Sequence, residues 1–232
     1  MPSPEPLVLH GLVGRSLAMR TLFERIKFVA RLDMTVLIRG EPGTEKDLVA
    51  AAIHHLSRRS GRAFESIHCG EFAGELLPQY AETVATLSAW ANALIAGDGG
   101  TLFLNCVDEL SRQPQTLLTD LLDHAAIRPP GSLERTPVNA RVIAATDHDL
   151  ADAVRRGAFR QNLYYQLWAI KVVVPPLRAR LEDLPLLVEQ FRAEYAARLG
   201  VTVRGVTPEA VARLSAHEWP GNLAELQAVL AH

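Results

Sequence analysis

The residues from Gly40 to Lys46 have the types and the spacing of a loop that binds phosphate. They read "GEPGTEK" and match the pattern G-x-x-x-x-G-K, except that Glu45 stands where the second glycine is expected. In such a loop, backbone N–H groups and the N-terminus of the following helix point at the phosphates, and the lysine adds a full positive charge. An ordinary strand-turn-helix without a ligand is the alternative for this motif alone. The residues predicted to bind a nucleotide are Gly40, Gly43, Thr44, Glu45, Lys46 and Asp47.

The elements around this loop alternate between strand-like and helix-like patterns. Short apolar runs rich in β-branched residues predict strands, and apolar residues at helical spacing predict helices between them. This alternation indicates βαβ units and a mostly parallel sheet. The predicted strands are "TVLIR" (35–39), "AFESIHC", "GTLFLNCV", "ARVIAAT" and "AIKVVVP". The predicted helices include 16–30, 47–58, "GELLPQYAETVATLSAWANALIAG" and "QPQTLLTDLLDHA".

After Pro175 and Pro176 the pattern contains helical periods alone, over 184–199, over 208–216 and from Gly221 to the end. The second of these helices has a recognisable start, because Thr207 is a suitable N-cap and proline is favoured at the first helical position. The sequence therefore predicts an α/β domain over residues 1–175 and a small helical domain over residues 176–232.

The bulk composition excludes several classes of function. The chain has 232 residues, 48% of them hydrophobic, and a net charge of −2. It therefore lacks the strong positive charge that is typical of proteins that bind polyanions, and we expect no DNA contact by this chain. No apolar run approaches the ~20 residues of a membrane span. The start lacks the pattern of a signal peptide, so reduced cysteines in the cytoplasm are the expectation. His68 and Cys69 lack the paired spacing of a zinc site, and no metal site is predicted.

Seven motifs occur in order along the chain: "LVGRS", "GEPGTEKD", "DGGTLFL", "ARVIAAT", "FRQNLYYQL", "PPLRARLEDLPLL" and "WPGNLAEL". Together they resemble the central AAA+ domain of bacterial sigma-54-dependent transcription activators, the enhancer-binding proteins. The resemblance spans about residues 11–230. It implies a P-loop α/β fold with a helical lid, ring oligomers, and ATP hydrolysis that remodels the sigma-54 polymerase complex.

The end of the third predicted strand departs from this family. The family's "TLFLDE" is "TLFLNC" here, so that Asn105 and Cys106 replace the Asp that helps to hold Mg²⁺ and the Glu that polarises water. Asn offers a hard cation a neutral oxygen, which predicts weakened Mg²⁺ binding. Cys106 could be a nucleophile or a small packed residue, and no neighbouring base favours the first. Asp108 and Glu109 lie too far along the chain and are expected to point elsewhere.

Four further departures fall on charged positions. Glu45 and Asp147, the latter in "AATD" where the family has "AATN", place carboxylates beside the expected triphosphate. Like charges about 4 Å apart cost ~1 kcal/mol in water and ~4 kcal/mol at an effective dielectric constant of about 20. A Glu45 side chain that points to solvent is the alternative. Arg160 remains as a candidate arginine finger, Gln166 replaces the second arginine, and Ala224 replaces the arginine of the lid.

The "GAFTGA" loop, with which the family engages sigma-54, is missing. Its place is taken by a helical pattern with Val84, Leu87, Trp90 and Leu94 on one face. A helix that faces the core and an exposed helix that binds a partner are both consistent with this pattern. The missing loop argues against direct contact with sigma-54.

These departures predict a regulatory AAA+ module in which ATP hydrolysis is lost or strongly reduced. It would bind ATP or ADP, or assemble with AAA+ relatives into a homo- or hetero-oligomer. A scaffold that binds no nucleotide, and an ATPase that is active or complemented by a partner subunit in a ring, are the alternatives. The chain ends within the lid, before the DNA-binding domain of typical family members, which fits either a fragment or a regulator without its own DNA reader.

Overall fold

A computed structural model of the chain describes residues 7–72, 84–200 and 205–231. Its strands are β1 (Leu7–Leu9), β2 (Leu12–Gly14), β3 (Val36–Arg39), β4 (Phe64–His68), β5 (Thr101–Asn105), β6 (Ala126–Ile127), β7 (Thr136–Pro137), β8 (Arg141–Thr146) and β9 (Lys171–Val173). Its helices are α1 (Leu17–Ala30), α2 (Lys46–His55), α3 (Val84–Ala96), α4 (Arg112–His124), α5 (Leu150–Arg155), α6 (Gln161–Leu167), α7 (Leu184–Leu199), α8 (Pro208–Ser215) and α9 (Asn222–Leu230). Among the described residues, no helix has the length and apolar character needed to cross a membrane.

A five-stranded parallel sheet forms the centre of the α/β region, in the order β4-β5-β8-β3-β9. The apolar runs of the strands serve both faces, since successive side chains of a strand point to opposite sides. Leu37 packs in one apolar cluster with residues of α3 to α6, whereas Val36 and Ile38 pack in another with residues of α1 and α2. Helices on both faces of a parallel sheet are the architecture that the alternating pattern predicts.

The register between β3 and β8 brings the candidate site together. Ile38 pairs with Ala145 and Arg39 with Thr146, and both strands end at this level. The residues that follow, Gly40 on one strand and Asp147 on the other, therefore leave the same edge of the sheet side by side. Functional side chains commonly gather at this carboxyl edge of open α/β sheets.

Helix α3 faces the core in the part of the chain that is described. Trp90 and Leu94 are buried, and the indole N–H of Trp90 donates to the carbonyl of Pro114 in α4 over 3.2 Å. This is what the core-facing interpretation predicts for these two residues. The side chains of Val84 and Leu87, and the predicted helical stretch before Val84, lie outside the described residues.

The structure differs from the sequence prediction at one helix end and at one strand pair. The helix after the loop ends at His55 rather than Arg58, since the Ser57 hydroxyl donates to the carbonyl of His54 over 2.7 Å and begins a turn. The short antiparallel ladder of β6 with β7 lies outside the strands that the sequence predicts.

Past β9 the chain is helical and has a core of its own. Trp219 and Phe191 are buried there with leucines of α7 and α9, in a cluster separate from the two that flank the sheet. Thr207 accepts a hydrogen bond from the N–H of Ala210, as an N-cap does. We refer to residues 176–231 as the lid.

Candidate functional site

The loop between β3 and α2 has the tight backbone of a phosphate loop. Gly43 has φ +74°, and a β-carbon at this position would collide with the carbonyl oxygen of Gly221 in the lid. Glu45 is also left-handed, with φ +62°, and its side chain makes no capping bond to α2. For a residue with a side chain this conformation costs about 1 kcal/mol. The expected glycine would avoid that cost, so the Glu45 departure carries a backbone penalty as well as a charge.

Lys46 is buried, with 7% of the residue exposed, and its amine is already engaged within the chain. Its Nζ lies 3.2 Å from the carbonyl oxygen of Glu41 and forms an ion pair with the carboxylate of Asp147. The lysine of the motif and the carboxylate at the end of β8 therefore neutralise each other, in the place where a phosphate would be expected.

The turn that presents Asp147 is held by Asp108. The hydroxyl of Thr146 donates to one Asp108 oxygen over 2.6 Å, and Nδ1 of His148 lies 2.8 Å from the other. The N–H of His148 also donates to the Thr146 hydroxyl over 3.1 Å. Asp108 thus braces the residues on both sides of Asp147. The sequence indicated that Asp108 points away from the expected catalytic position, but gave no sign of this bracing role.

Asn105 is the last residue of β5 and Cys106 follows it, and both line the same cavity as Lys46. Cys106 has φ +55°, and its Sγ lies 3.8 Å from Oδ1 of Asn105. Burial raises the pKa of the Cys106 thiol to about 11, and the carboxylates of Glu109, Asp147 and Asp108 add to this rise. The thiol stays protonated at neutral pH, so it is neither a nucleophile nor a base.

Glu45 is partly buried and lines the cavity instead of pointing freely to solvent. Burial raises the pKa of its carboxyl to about 7, against the opposing effect of the Arg180 guanidinium. The carboxylates of Asp47 and Glu194 act in the same direction as burial. The alternative of a Glu45 side chain that points to solvent is therefore wrong, and its carboxyl group titrates near neutral pH.

The lid closes directly onto the loop. The N–H of Leu223 donates to the carbonyl of Gly43 over 2.9 Å, and the amide of Asn222 donates to the carbonyl of Pro42 over 2.9 Å. Arg178, near the start of the lid, donates to the Glu41 carboxylate over 2.7 Å. The hydrogen bond from Arg178, and a second one that the Asn222 amide donates to the Glu41 carboxylate over 3.2 Å, lower the pKa of Glu41 to about 2.

The phosphate loop, the ends of β5 and β8, and the lid together line a cavity of about 480 Å³ that is open to solvent. This lies within the range of about 300–1,000 Å³ that is usual for small-molecule sites. Its charged side chains are one cation, Lys46, and three carboxylates, Glu45, Asp47 and Asp147. The remaining lining residues are Pro42, Gly43, Leu48, Asn105, Cys106, Ala224 and Gln227.

These groups fit a nucleotide better than they fit a hydrolytic metal centre. Lys46 and the N-terminus of α2 suit a phosphate, because the first N–H groups of a helix have no acceptor within it. Mg²⁺ prefers carboxylate oxygens, and the end of β5 offers the neutral Asn105. Over the described residues, no group of three or more His, Cys, Asp or Glu is arranged to hold a metal ion.

Arg160 and Gln166 are not among the residues that line this cavity. Arg160 is exposed at the start of α6, and its Nε lies 3.4 Å from the carbonyl oxygen of Arg112. Gln166 donates to the carboxylate of Asp123. A role for Arg160 toward a neighbouring subunit stays a prediction.

Comparison with known families gives two matches that together cover most of the chain. The family described as "Sigma-54 interaction domain" matches residues 12–173, and the family "AAA+ ATPase lid domain" matches residues 178–232.

Curated relatives and solved structures agree with these matches. The transcriptional regulatory protein ZraR of Klebsiella oxytoca is 40% identical over 228 residues, which cover 96% of this chain and 52% of the relative. The C4-dicarboxylate transport transcriptional regulatory protein DctD of Pseudomonas aeruginosa is 38% identical over 226 residues, 94% of this chain and 49% of the relative. The chain thus spans about half the length of these relatives.

Among solved structures, NtrX from Brucella abortus in complex with ATP is similar, with a TM-score of 0.83 and 34% identity. That match covers 94% of this chain and 51% of the NtrX chain. The same protein in complex with ADP gives a TM-score of 0.85 and 33% identity, over 95% and 49% of the two chains.

Proposed function

Because the chain belongs to the sigma-54 interaction domain family and has the AAA+ fold with its helical lid, we propose that it is the regulatory AAA+ module of a sigma-54-activator-type transcription regulator. Its ATP hydrolysis is lost or strongly reduced, and it acts by binding nucleotide, by assembling with AAA+ relatives, or by both. Direct remodelling of sigma-54 is not part of its activity.

The main support for a loss of hydrolysis is the identity of the two residues at the end of β5, Asn105 and Cys106. Hydrolysis needs a group that takes a proton from the attacking water, and general bases contribute roughly 10²–10⁴-fold in rate. Cys106, at the family's position for that group, has a pKa near 11 and cannot accept a proton at neutral pH. The neighbouring Asn105 cannot supply the negative charge that favours Mg²⁺.

The state of Asp147 supports the same conclusion. Its carboxylate is paired with Lys46, so it is not free to act as a base, and Lys46 is not free to stabilise charge on a leaving phosphate. Asp147 could act as a base, and Lys46 could stabilise a leaving phosphate, only if this ion pair opened.

Nucleotide binding without hydrolysis is supported by the groups that remain. The loop backbone, Lys46 and a cavity of about 480 Å³ are present, and the similar NtrX was crystallised with ATP and with ADP. A bound nucleotide would then control assembly through the lid, because the loop that contacts the nucleotide also forms hydrogen bonds to the lid.

Two experiments test the proposal. In a phosphate-release assay on the purified chain, we expect no turnover above that of the Lys46→Ala variant, and turnover at ordinary ATPase rates would overturn the loss of hydrolysis. Titration with ADP and ATP, with and without Mg²⁺, tests binding. Measurable affinity that weakens in Lys46→Ala supports a nucleotide-gated module, whereas no binding to the parent chain leaves the nucleotide-independent scaffold.

An ATPase complemented by a partner subunit is a distinct outcome. It predicts turnover when the chain is mixed with an active AAA+ relative, at a rate higher than the relative gives alone.

A further inference from the structure

We propose that Asp147 determines the class of ligand that this site accepts. Its carboxylate contacts the Lys46 amine in the place where the terminal phosphate of a nucleoside triphosphate would contact it. The site therefore binds a nucleoside diphosphate in preference to a triphosphate. This inference rests on the proposed nucleotide binding and adds to it the number of phosphates that the site accommodates.

The position of the carboxylate follows from the sheet. β3 and β8 are neighbours in register, and the loop with Lys46 follows one while Asp147 follows the other. In loops of this kind the lysine reaches the β- and γ-phosphates of a bound nucleotide. A side chain that contacts the Lys46 amine is therefore in the region that a γ-phosphate would enter.

The backbone turn that carries this carboxylate is held by its surroundings. Thr146 is buried, and its hydroxyl is bonded to Asp108, which also contacts His148. Because both neighbours of Asp147 are held, the turn cannot easily carry its carboxylate away to make room for another anion.

No other cation in the cavity could compensate for this negative charge. Lys46 is the one Lys or Arg among the described residues that line it. Of the nearby arginines, Arg178 bonds to Glu41 and Arg39 lies 3.1 Å from the Asp149 carboxylate. Arg180 does not line the cavity and is buried, with its Nη1 3.0 Å from the sulfur of Met19. Ala224 lines the cavity at the position where the lid arginine is expected. A γ-phosphate would meet a carboxylate and an ammonium group that is already neutralised.

A β-phosphate faces a different environment. It would be held mainly by the backbone N–H groups of the loop and the N-terminus of α2, which carry partial positive charge in addition to the charge of Lys46. The Lys46–Asp147 pair can stay closed while these groups bind, so a diphosphate avoids the repulsion that a triphosphate meets.

The test is the ratio of ADP to ATP affinity, measured by calorimetric titration with and without Mg²⁺. We expect the parent chain to bind ADP more tightly than ATP by roughly 10- to 100-fold. Asp147→Asn keeps the shape of the side chain but removes its charge, so it should raise ATP affinity and abolish most of the preference. Asp152→Asn is the matched control, because it makes the same change in net charge at an exposed position of α5, and it should leave the ratio unchanged.

Asp147→Ser gives a second variant, and far-ultraviolet circular dichroism checks that each variant is folded. A general loss of structure would weaken both nucleotides together, whereas the proposal requires the ratio to change. Equal affinity of the parent for ADP and ATP, or a ratio that both Asp147 variants leave unchanged, would overturn the inference while leaving the proposed nucleotide binding in place. If neither the parent nor the variants bind any nucleotide, the nucleotide arm of the proposed function fails and the inference fails with it.

Discussion

Asn222 of the lid donates its side-chain amide to the carbonyl of Pro42 in the phosphate loop, and accepts the N–H of Leu177 over 2.8 Å. It is completely buried and lies in the left-handed region, with φ +53°. Asn tolerates this conformation better than most residues, because its short polar side chain can bond locally. One buried side chain therefore joins the loop, the segment before α7, and α9.

Replacement of Asn222 by Ala should destabilise the protein. It removes hydrogen bonds to Pro42 and Leu177 and places Ala in a left-handed conformation, which together cost about 2–4 kcal/mol. Urea unfolding measures the change. Asn162→Ala, on the exposed side of α6, is the control and should stay within ~0.5 kcal/mol of the parent. Equal unfolding midpoints for the two variants would contradict the structural role of Asn222.

Replacement of Gly43 by Ala should separate the loop from the lid. The added methyl group would collide with the carbonyl of Gly221, and the left-handed φ adds strain, for a total of about 1–3 kcal/mol. We expect faster limited proteolysis in the lid and a lower thermal midpoint. Gly61→Ala is the matched control, since a β-carbon there meets no atom within 4 Å. If both variants are cleaved at the parent's rate, the loop does not hold the lid.

The raised pKa of Glu45 predicts a pH dependence of stability. The folded state keeps this proton up to about pH 7, whereas the unfolded chain releases it near the ordinary value of 4.5. Between these values the folded state binds more protons, so the free energy of unfolding falls as the pH rises, by on the order of 2–3 kcal/mol in total.

Glu45→Gln removes this titration. Its stability relative to the parent should therefore be near zero at pH 4 and increasingly favourable up to about pH 7, after which the difference levels off. Chemical unfolding at several pH values measures it. A constant difference between the two proteins across this range would show that Glu45 has an ordinary pKa.

Restoring the family's residues should restore some hydrolysis. In the triple variant Glu45→Gly, Asn105→Asp, Cys106→Glu, the loop regains a residue suited to φ +62° and the end of β5 regains a base. A gain of roughly 10²-fold over the parent in phosphate release is expected. The same triple change combined with Lys46→Ala is the control and should stay inactive.

A restored variant that binds ATP tightly but remains inert would have a different meaning. It would place the deficit in Asp147, Gln166 and Ala224 instead of in the three restored residues.

The sheet could be predicted from the sequence because its strands are buried on both faces and read as continuous apolar runs. "TVLIR" and "ARVIAAT" carry this signal, and β3 and β8 lie within them. The short pairs β1–β2 and β6–β7 could not be predicted, since two or three residues show no periodicity. The end of α2 was placed too late, because it depends on a single Ser57 hydroxyl bond.

Several of the residues that line the cavity could be predicted from the sequence, but their contacts could not. The motif located Lys46, and the family pattern located Asp147 as a source of repulsion. Their ion pair, the bracing by Asp108, and the burial of Glu45 under the lid depend on which strands are neighbours and on how the lid packs. Those relationships join residues far apart in the chain, where local patterns carry no information.

The Glu41–Arg178 pair, which links the loop to the start of the lid, has a consequence for how the site would communicate. If a ligand at the loop changes the equilibrium between two arrangements of the lid, then a partner that fixes the lid in one arrangement must change the affinity of the loop for that ligand. The two effects are reciprocal and equal in size. A neighbouring subunit or domain would not need to touch the cavity in order to report on its contents. It would need only to favour one arrangement of the segment that carries Arg178.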